Sequence, residues 1–397
     1  MKTESTILNS DLNSFARKYL VLGPDLTAEE LANFSNTHTV VVASTLEQLM
    51  LFDKVSIKVY GENVPLTMLI NQLGLNRVEK LIDEGALEFL LWTPMVGYNV
   101  TELPGILPLM SGNTTSSVHV DPEESATTGL QWLSNGLSER QAKGLIKKVR
   151  DIYRIPDKEF ARNSANLVMD AYKSNRLAEY GMPMTKDLAN LTLDERKQLS
   201  GYAQTILETT ILSSLKYSSF ENYNDFLLSS STFARIEAAI KIKENANKIL
   251  TLENIPDLKS VFIEENINLD KLLKLRAKND ARRFREWLFS VSTSSDAKEI
   301  TKEYVDALVD SKGFFETKGG KFVKTMSMYS LGTGVGTLIG GLPGTLLGGT
   351  VGKILEPAAD IGLDMLDTYF LDGLLRGWNP RIFLDKLKDG LETKQDK

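Results

Sequence analysis

The fold is decided by residues 55–92, which read VSIKVYGENVPLTMLINQLGLNRVEKLIDEGALEFLLW. From Val55 to Tyr60, apolar and polar side chains alternate, which is the pattern of a strand with one buried face. A second apolar run, residues 86–92, predicts another strand. Between the two strands the pattern predicts two short helices, 65–73 and 76–84, each ended by a glycine. This order predicts a small α/β or α+β unit.

Upstream of this stretch, one more strand is predicted at Val40–Ala43, where four apolar residues follow one another. Several helix starts are indicated by capping boxes. In these a Ser or Thr hydroxyl accepts from a main-chain N–H, and an acid or amide three residues later reaches back. The predicted starts are Thr27 with Glu30, Thr45 with Gln48, Ser138 with Gln141 and Thr192 with Glu195.

Helical periodicity dominates the chain after residue 130, and residues 108–128 are predicted to form a polar loop. The predicted helices are Leu130–Tyr153, Phe160–Tyr172, Asp194–Leu215, Phe233–Leu250 and Leu269–Leu288. The fold class is therefore mainly α with a small N-terminal α/β unit, a multi-helix body and a glycine-rich C-terminal hairpin. The predicted division is 1–110 for the α/β unit, 111–128 for a linker, 129–310 for a helical domain, and 311–397 for a glycine-zipper segment with a C-terminal amphipathic helix.

The composition excludes several classes of function. The chain has 397 residues, 42% hydrophobic and 25% charged, which is typical of a globular protein. Its net charge of −6 gives no support to nucleic acid as a partner. The absence of cysteine excludes disulfides, thiolate metal sites and cysteine nucleophiles. Residues 1–11 contain no apolar run, so we expect no secretory signal and a cytoplasmic location.

No catalytic motif is recognisable. The two histidines, His38 and His119, fall on different predicted elements, and we expect His119 to be a solvated loop residue and His38 to precede a strand. Residues 348–354 resemble the end of a phosphate-binding loop, but Leu347 replaces its first glycine and Ile354 its Ser/Thr. We therefore expect no metal or cofactor. An enzyme is unsupported, although paired catalytic carboxylates leave no short motif.

The sharpest pattern is a stripe of glycines near the C-terminus, where small residues four apart allow another main chain to approach closely. The interpretations are a tight hairpin within the fold, a hairpin that inserts into a membrane and a ligand-cradling loop. Pro343 divides the segment into two arms, each too short to span a bilayer. The stripe contains Gly332, Gly336, Gly340, Gly344, Gly348 and Gly352, and the opposite face carries Leu338, Ile339 and Leu346.

A basic stretch lies before the stripe, within residues 271–285. It is interpreted either as an amphipathic helix that contacts an anionic surface or as a core helix whose basic face pairs with acidic neighbours such as Glu264 and Glu265. The residues predicted for anionic-surface contact are Lys274, Lys278, Arg282 and Arg285.

The C-terminal third resembles a family of uncharacterised bacterial proteins. The resemblance rests on Leu275-Arg276, on Phe284–Leu288, and on a glycine-rich segment followed by the Gly-Trp-x-Pro-x-x-Phe ending at 377–383. It implies a bacterial origin and a structural role for Trp378. No established activity attaches to that family, so the resemblance supplies no functional residues.

The leading hypothesis is a non-enzymatic bacterial protein that uses the glycine segment for membrane contact or self-association, and proteins of this kind can serve as toxin-like or defence effectors. It would be cytoplasmic or peripheral at the inner membrane, with a membrane surface, a second copy or a partner protein as its partner. One rival is a sensing or scaffold protein whose N-terminal unit binds a partner. The other is a hydrolase or nuclease that uses unrecognised carboxylates.

Overall fold

The structure is a computed structural model, and it describes most of the chain up to residue 293 together with one later strand. The glycine stripe and everything after it lie outside the described residues. The described residues are 5–21, 26–101, 106–133, 135–175, 177–178, 182–183, 187–215, 217, 219–220, 247–256, 258–264, 268–293 and 323–331.

The strands form three sheets. The central one is a four-stranded parallel sheet of order β1-β2-β3-β6, while β4 and β5 form an antiparallel hairpin and β7, β9 and β8 form an antiparallel sheet. The strands are β1 (Thr6–Asn9), β2 (Lys54–Val59), β3 (Leu87–Leu91), β4 (Pro94–Tyr98), β5 (Leu109–Asn113), β6 (Tyr153–Arg154), β7 (Ser219–Phe220), β8 (Asn247–Pro256) and β9 (Val323–Leu331).

Helices fill the crossovers between the parallel strands and continue after them. The α-helices are α1 (Asp11–Phe15, continued by a π-helix at Ala16–Val21), α2 (Ala28–Ala32), α3 (Phe34–Leu51), α4 (Val64–Leu73), α5 (Leu75–Asp83), α6 (Ser117–Val120), α7 (Pro122–Leu130), α8 (Glu139–Asp151), α9 (Phe160–Lys173), α10 (Leu193–Leu215), α11 (Leu258–Glu264), α12 (Leu269–Arg276) and α13 (Asn279–Thr293).

Both faces of the parallel sheet are covered, so successive side chains along each strand point alternately into two cores rather than into one core and into water. Ile7, Val55 and Phe89 point into a core shared with α3, α4, α5, α8 and α11–α13. Leu8 and Leu90 point into a second core, built with the β4–β5 hairpin, α9 and α10. The small parallel sheet in a mainly helical chain agrees with the predicted fold class.

The strands at 55–60 and 86–92 and the two helices between them are confirmed. Gly74 and Gly85 end those helices with φ of +83° and +69°, a conformation that favours glycine. The capping boxes at Thr27, Ser138 and Thr192 are also confirmed.

The predicted strand at Val40–Ala43 is wrong, because these residues lie inside α3. An apolar run of four residues is compatible with a strand and with a buried helix. In the structure the run belongs to α3, whose second half is buried. The capping box at Thr45 and Gln48 is wrong for the same reason. Thr45 Oγ1 instead donates to the Val41 carbonyl at 2.9 Å, and Gln48 Oε1 accepts from Asn9 Nδ2 at 2.8 Å.

The polar loop predicted over 108–128, and the linker 111–128 within it, are replaced by β5, α6 and α7. Ser125 and Ala126 of α7 are fully buried.

Farther on, residues 247–250, predicted as the end of a helix, belong to β8. Leu145, Leu258 and Phe284 share the first core with Ile7, so side chains from beyond residue 129 complete the core of the N-terminal unit.

The basic stretch forms α12 and α13, which pack against α3. Arg276 is 4% exposed and donates to the carbonyl oxygens of Leu49, Phe52 and Asp53 at the end of α3. The Leu49 carbonyl is one of those that a helix end leaves without partners, and Phe52 and Asp53 directly follow α3. Burial lowers the pKa of Arg276 to about 9. The residue therefore completes the C-terminus of α3 rather than facing solvent.

Candidate functional site

Three chain segments that follow the strands of the central sheet converge near the carboxyl ends of β1 and β2. The first is α1 with its π-helical continuation, which follows β1. The second is residues 60–63, between β2 and α4, and the third is α6, which follows β3 and the β4–β5 hairpin. In open α/β sheets, ligands bind outside the carboxyl ends of the strands. Arg17, Tyr60, Glu62 and His119, referred to below as the carboxyl-edge cluster, come from these segments.

Arg17 and Glu62 form the charged half of the cluster. Arg17 Nη1 donates to Glu62 Oε2 at 3.1 Å, and each side chain is 27% exposed. The Arg17 guanidinium carbon lies 5.5 Å from the centre of the Tyr60 ring, within cation–π range. Among the described residues, no hydrogen bond engages Arg17 Nε or Nη2. This edge of the guanidinium is the geometry that accepts a carboxylate or a phosphate through two hydrogen bonds.

Tyr60 is held at the centre of the cluster by its main chain and its hydroxyl. Its N–H donates to Asn13 Oδ1 at 3.1 Å, which ties the end of β2 to α1. Its hydroxyl lies 3.6 Å from Met95 Sδ on β4. The ring therefore stands between Arg17 and the hairpin and presents an apolar face next to a cation.

His119 supplies the third side of the cluster, from α6. Its ring meets Tyr60 edge-on, with centroids 4.7 Å apart and planes at 77°. Nδ1 lies 2.6 Å from Ser116 Oγ, whereas Nε2 is buried and has no hydrogen-bond partner in the described part of the chain. Burial lowers the pKa of His119; nearby Glu62 raises it and Arg17 lowers it further. The prediction of a solvated loop residue is wrong, because α6 holds the ring against the sheet.

Gly61 makes this packing feasible. Its φ is +81°, and a Cβ placed there would lie 3.0 Å from His119 Nε2, so the imidazole rests directly on the glycine main chain. Ser125 Oγ, from α7, donates to the Gly61 carbonyl at 2.6 Å and fixes the other side of the same turn.

Helix α7 forms the floor behind the cluster through unusually close main-chain contact. A Cβ at Gly129 would lie 2.4 Å from the Asn63 carbonyl oxygen. Asn63 N–H donates to the Ser125 carbonyl at 2.9 Å, and Asn63 Nδ2 donates to the Tyr153 hydroxyl at 2.7 Å. Burial raises the pKa of Tyr153, which therefore remains a neutral hydrogen-bonding group. These bonds fix the turn that carries Tyr60 and Glu62.

The pair Ser116–His119 resembles half of a catalytic dyad, in which a histidine activates a serine and a third group orients the histidine. Here that third group is missing from the described residues, because Nε2 faces Gly61 and has no polar partner. Ser116 is also the N-cap of α6, and its main-chain carbonyl accepts from His119 N–H at 2.9 Å. The Ser116–His119 pair therefore belongs to the start of a helix.

A second group of ionisable side chains lies at the amino ends of β2 and β3. Glu88 is 4% exposed and accepts a hydrogen bond from the Tyr217 hydroxyl, while Lys54 Nζ and Arg154 Nε lie 3.6 and 3.8 Å from its other oxygen. Burial raises the pKa of Tyr217, and the Glu88 charge raises it further. This group joins α10 to three strands of the sheet and we interpret it as structural.

The residues predicted for anionic-surface contact are divided by the structure. Lys274, Lys278 and Arg282 are exposed on α12, on the turn after it and on α13. Arg285 is 7% exposed, and its Nε donates to Asp53 Oδ1 at 2.9 Å, so it faces the core. The acid that pairs with Arg285 is therefore Asp53, and the predicted partners, the Glu264 side chain and Glu265, lie outside what the structure describes.

Other predicted positions lie outside the site. His38, expected before a strand, lies within α3 with its ring centre 5.4 Å from that of Phe15, and burial lowers its pKa. The predicted glycine-stripe residues Gly332, Gly336, Gly340, Gly344, Gly348, Gly352, Leu338, Ile339 and Leu346 fall outside the described residues. Within the described ranges, no three His, Asp or Glu side chains form a group that could hold a metal ion.

Arg17, Tyr60 and Glu62 were not predicted as site residues. Tyr60–Asn63 directly follows a predicted strand and precedes a predicted helix, which is where a ligand loop of an α/β unit lies. That position was the available signal. No comparable signal was available for Arg17, because β1 was not predicted as a strand.

Comparison with known proteins adds no functional information: the chain matches no protein-family model, no curated protein and no solved structure.

Proposed function

We propose that the protein is a ligand-sensing module, in which the carboxyl-edge cluster binds a small anionic ligand through Arg17. The observation that carries this proposal is the partly exposed Arg17 guanidinium, paired with Glu62 through Nη1 alone. Its Nε and Nη2 edge can form two parallel hydrogen bonds to a phosphate or carboxylate. The Tyr60 ring beside it offers an apolar surface for the rest of the ligand.

Glu62 tunes this affinity. Its carboxylate holds Arg17 in place but repels an incoming anion, so the free site is electrostatically balanced. Binding would shift Arg17 from Glu62 toward the ligand. By exchanging the partner of Arg17, ligand binding would change the position of α1, whose Asn13 side chain accepts a hydrogen bond from the Tyr60 N–H.

The test is calorimetric titration of the purified protein with inorganic phosphate, citrate and ATP, in wild type, Arg17→Gln and Arg162→Gln. Arg162 is the matched control, because it is an exposed arginine paired with one glutamate through Nη1 at 3.0 Å. We expect at least one anion to bind, Arg17→Gln to weaken it about tenfold or more, which is about 1.4 kcal/mol, and Arg162→Gln to leave it unchanged.

Glu62→Gln provides a variant that should gain affinity, since it removes the competing carboxylate. If none of the three anions binds, or if Arg17→Gln binds as wild type does, the sensing proposal is wrong.

A second candidate function follows from the glycine stripe. We propose that residues 332–352 mediate membrane contact or self-association, as in a toxin-like or defence effector. The supporting observation is six glycines four residues apart in an uncharged run. The exposed Lys274, Lys278 and Arg282 are suited to an anionic surface. Among the described helices, none has the length and apolar character needed to cross a bilayer.

Flotation with anionic liposomes tests the membrane form of this proposal. We expect wild type to co-float and Leu338→Asp to lose binding without unfolding. Wild type that stays at the bottom, together with a Leu338→Asp variant that unfolds in solution, would exclude membrane contact and make the segment part of the core. Self-association is tested separately by sedimentation of wild type and Gly340→Leu, where only wild type should oligomerise.

A further inference from the structure

Helix α6 is a single turn that lies against the carboxyl-edge cluster, and His119 makes its contact with the cluster. The His119 ring contacts the Tyr60 ring edge-on at 4.7 Å and rests on the Gly61 main chain. Of the other residues of the turn, Ser116 and Ser117 face solvent, Val120 is 44% exposed and Val118 is half-buried. His119 is the residue through which the turn contacts Tyr60 and Gly61.

The contact of the His119 ring with Tyr60 and Gly61 is favourable for a neutral imidazole and unfavourable for a charged one. A neutral ring carries one N–H donor, and Ser116 Oγ can satisfy Nδ1 as either donor or acceptor. An imidazolium carries two donors. Its Nε2–H would be buried against Gly61, where the described residues provide no acceptor. A buried charged donor without a partner is strongly destabilised, so protonation favours a conformation in which the ring reaches water.

The charges that face His119 come from both neighbouring segments. Glu62, after β2, favours the protonated ring, while Arg17, on the helix after β1, opposes it. Within α6 and the cap of α7, Ser116 is uncharged, and Asp121 accepts from the Glu123 N–H at 2.8 Å. The two opposite charges partly cancel, so burial decides which form the ring adopts.

We infer that α6 is a pH-operated strap over the carboxyl-edge cluster: protonation of His119 releases the turn from Tyr60 and Gly61 and uncovers the site. The strap is closed at pH 7.5 and opens as the pH falls below the ordinary range of histidine, about 6.5. This inference rests on the proposed sensing function for its biological meaning, since the strap would then make access of ligand to the cluster depend on pH. Its opening is measurable without any ligand.

The experiment is hydrogen–deuterium exchange of the peptide covering residues 114–121 at pH 7.5 and pH 5.5, with rates corrected for intrinsic exchange. Wild type should lose up to about tenfold protection at pH 5.5, the change expected if only the open form, with an ordinary histidine pKa of about 6.5, binds the proton. His119→Phe keeps the ring against Tyr60 but cannot be protonated, so its protection should not depend on pH. His119→Gln, which keeps a polar group for Ser116, is the second non-titratable variant should the first fail to fold.

His38→Gln is the matched control, because His38 is the other histidine of the chain and lies in α3. This variant should behave as wild type at residues 114–121. Unchanged wild-type protection between the two pH values, or the same loss in His119→Phe, overturns the strap. The strap and the sensing proposal can fail separately. If no anion binds at either pH value but the exchange of residues 114–121 still depends on His119, the sensing proposal is wrong and the pH-operated strap stands.

Discussion

Arg285 and Asp53, 232 residues apart in the chain, form an ion pair in which Arg285 Nε donates to Asp53 Oδ1 at 2.9 Å. The other Asp53 oxygen accepts from the N–H and hydroxyl of Ser5, at 3.1 and 3.0 Å. One carboxylate thus joins the start of β1, the end of α3 and the last described helix. Arg276 lies next to this pair, where its charge is stabilised by Asp53 and Glu84 and by the carbonyls at and just after the end of α3.

We therefore expect Asp53→Asn to lower the free energy of unfolding by about 3 kcal/mol, because it leaves the buried Arg285 without its paired carboxylate and removes one of the negative charges that stabilise Arg276. Urea denaturation followed by circular dichroism measures this loss. Lys278→Met, on the exposed turn between α12 and α13, is the control and should change stability by less than about 0.5 kcal/mol. Equal stability of Asp53→Asn and wild type would show that the pair contributes nothing to the fold.

Gly129 should tolerate no side chain. A Cβ there would approach the Asn63 carbonyl oxygen to 2.4 Å, and both partners are main chain, so neither can rotate away. Gly129→Ala should cost about 1–3 kcal/mol or more through overpacking, and should disturb the turn that carries Glu62. Thermal unfolding provides the measurement.

The matched control for Gly129 is Gly144→Ala, in the exposed interior of α8, where a Cβ meets no atom within 4 Å. Alanine is the better helix former, so this variant should gain about 1 kcal/mol. If both alanine variants shifted stability in the same direction, the close approach of α7 to Asn63 would be disproved.

Arg196 is a fully buried arginine whose guanidinium binds main-chain carbonyls. It donates to Leu191, Asn99, Thr101 and Ala189 at 2.7–3.2 Å. Arg196→Lys should destabilise the protein by about 2 kcal/mol or more, because a compact ammonium group cannot reach all of these acceptors. Limited proteolysis should then cut first near residues 99–101, which the arginine holds. Resistance equal to that of wild type would contradict this role.

Stability should fall as the pH is lowered from 7.5 to 5.5. Burial lowers the pKa of His38, against Phe15 and Phe34, below its unfolded value of about 6.5. Below that pH the unfolded chain binds more protons than the folded protein does. The contribution of His38 to the free energy of unfolding is therefore present in full above about pH 6.5 and is lost as the pH falls below that value. Urea midpoints at the two pH values measure the slope, and His38→Phe should reduce it.

The carboxylate of Glu30 does not account for that slope. The Lys18 ammonium and the hydrogen bonds from Thr27 lower the pKa of Glu30 from 4.5 to about 2. Its contribution is therefore retained down to about pH 4.5, below the measured range. A slope that is identical in His38→Phe and wild type would assign the pH dependence elsewhere.

The sequence by itself determined the local elements in which each residue's preference agrees with its surroundings. The alternation at Val55–Tyr60, the glycines after α4 and α5, and the capping box at Ser138 each specify their structure within a few residues. The mainly helical class and the small N-terminal α/β unit follow from these patterns. They are decided by short-range sterics and hydrogen bonds, which a sequence displays directly.

Only the tertiary structure decided what the elements do together. Val40–Ala43 became helix because the second half of α3 is buried, and the pairing of Arg285 with Asp53 depends on α12 and α13 folding back on α3. The carboxyl-edge cluster joins Arg17, Tyr60 and His119 from three separate connections of one sheet. No local pattern encodes such contacts, because they are set by strand order and by the packing of distant helices.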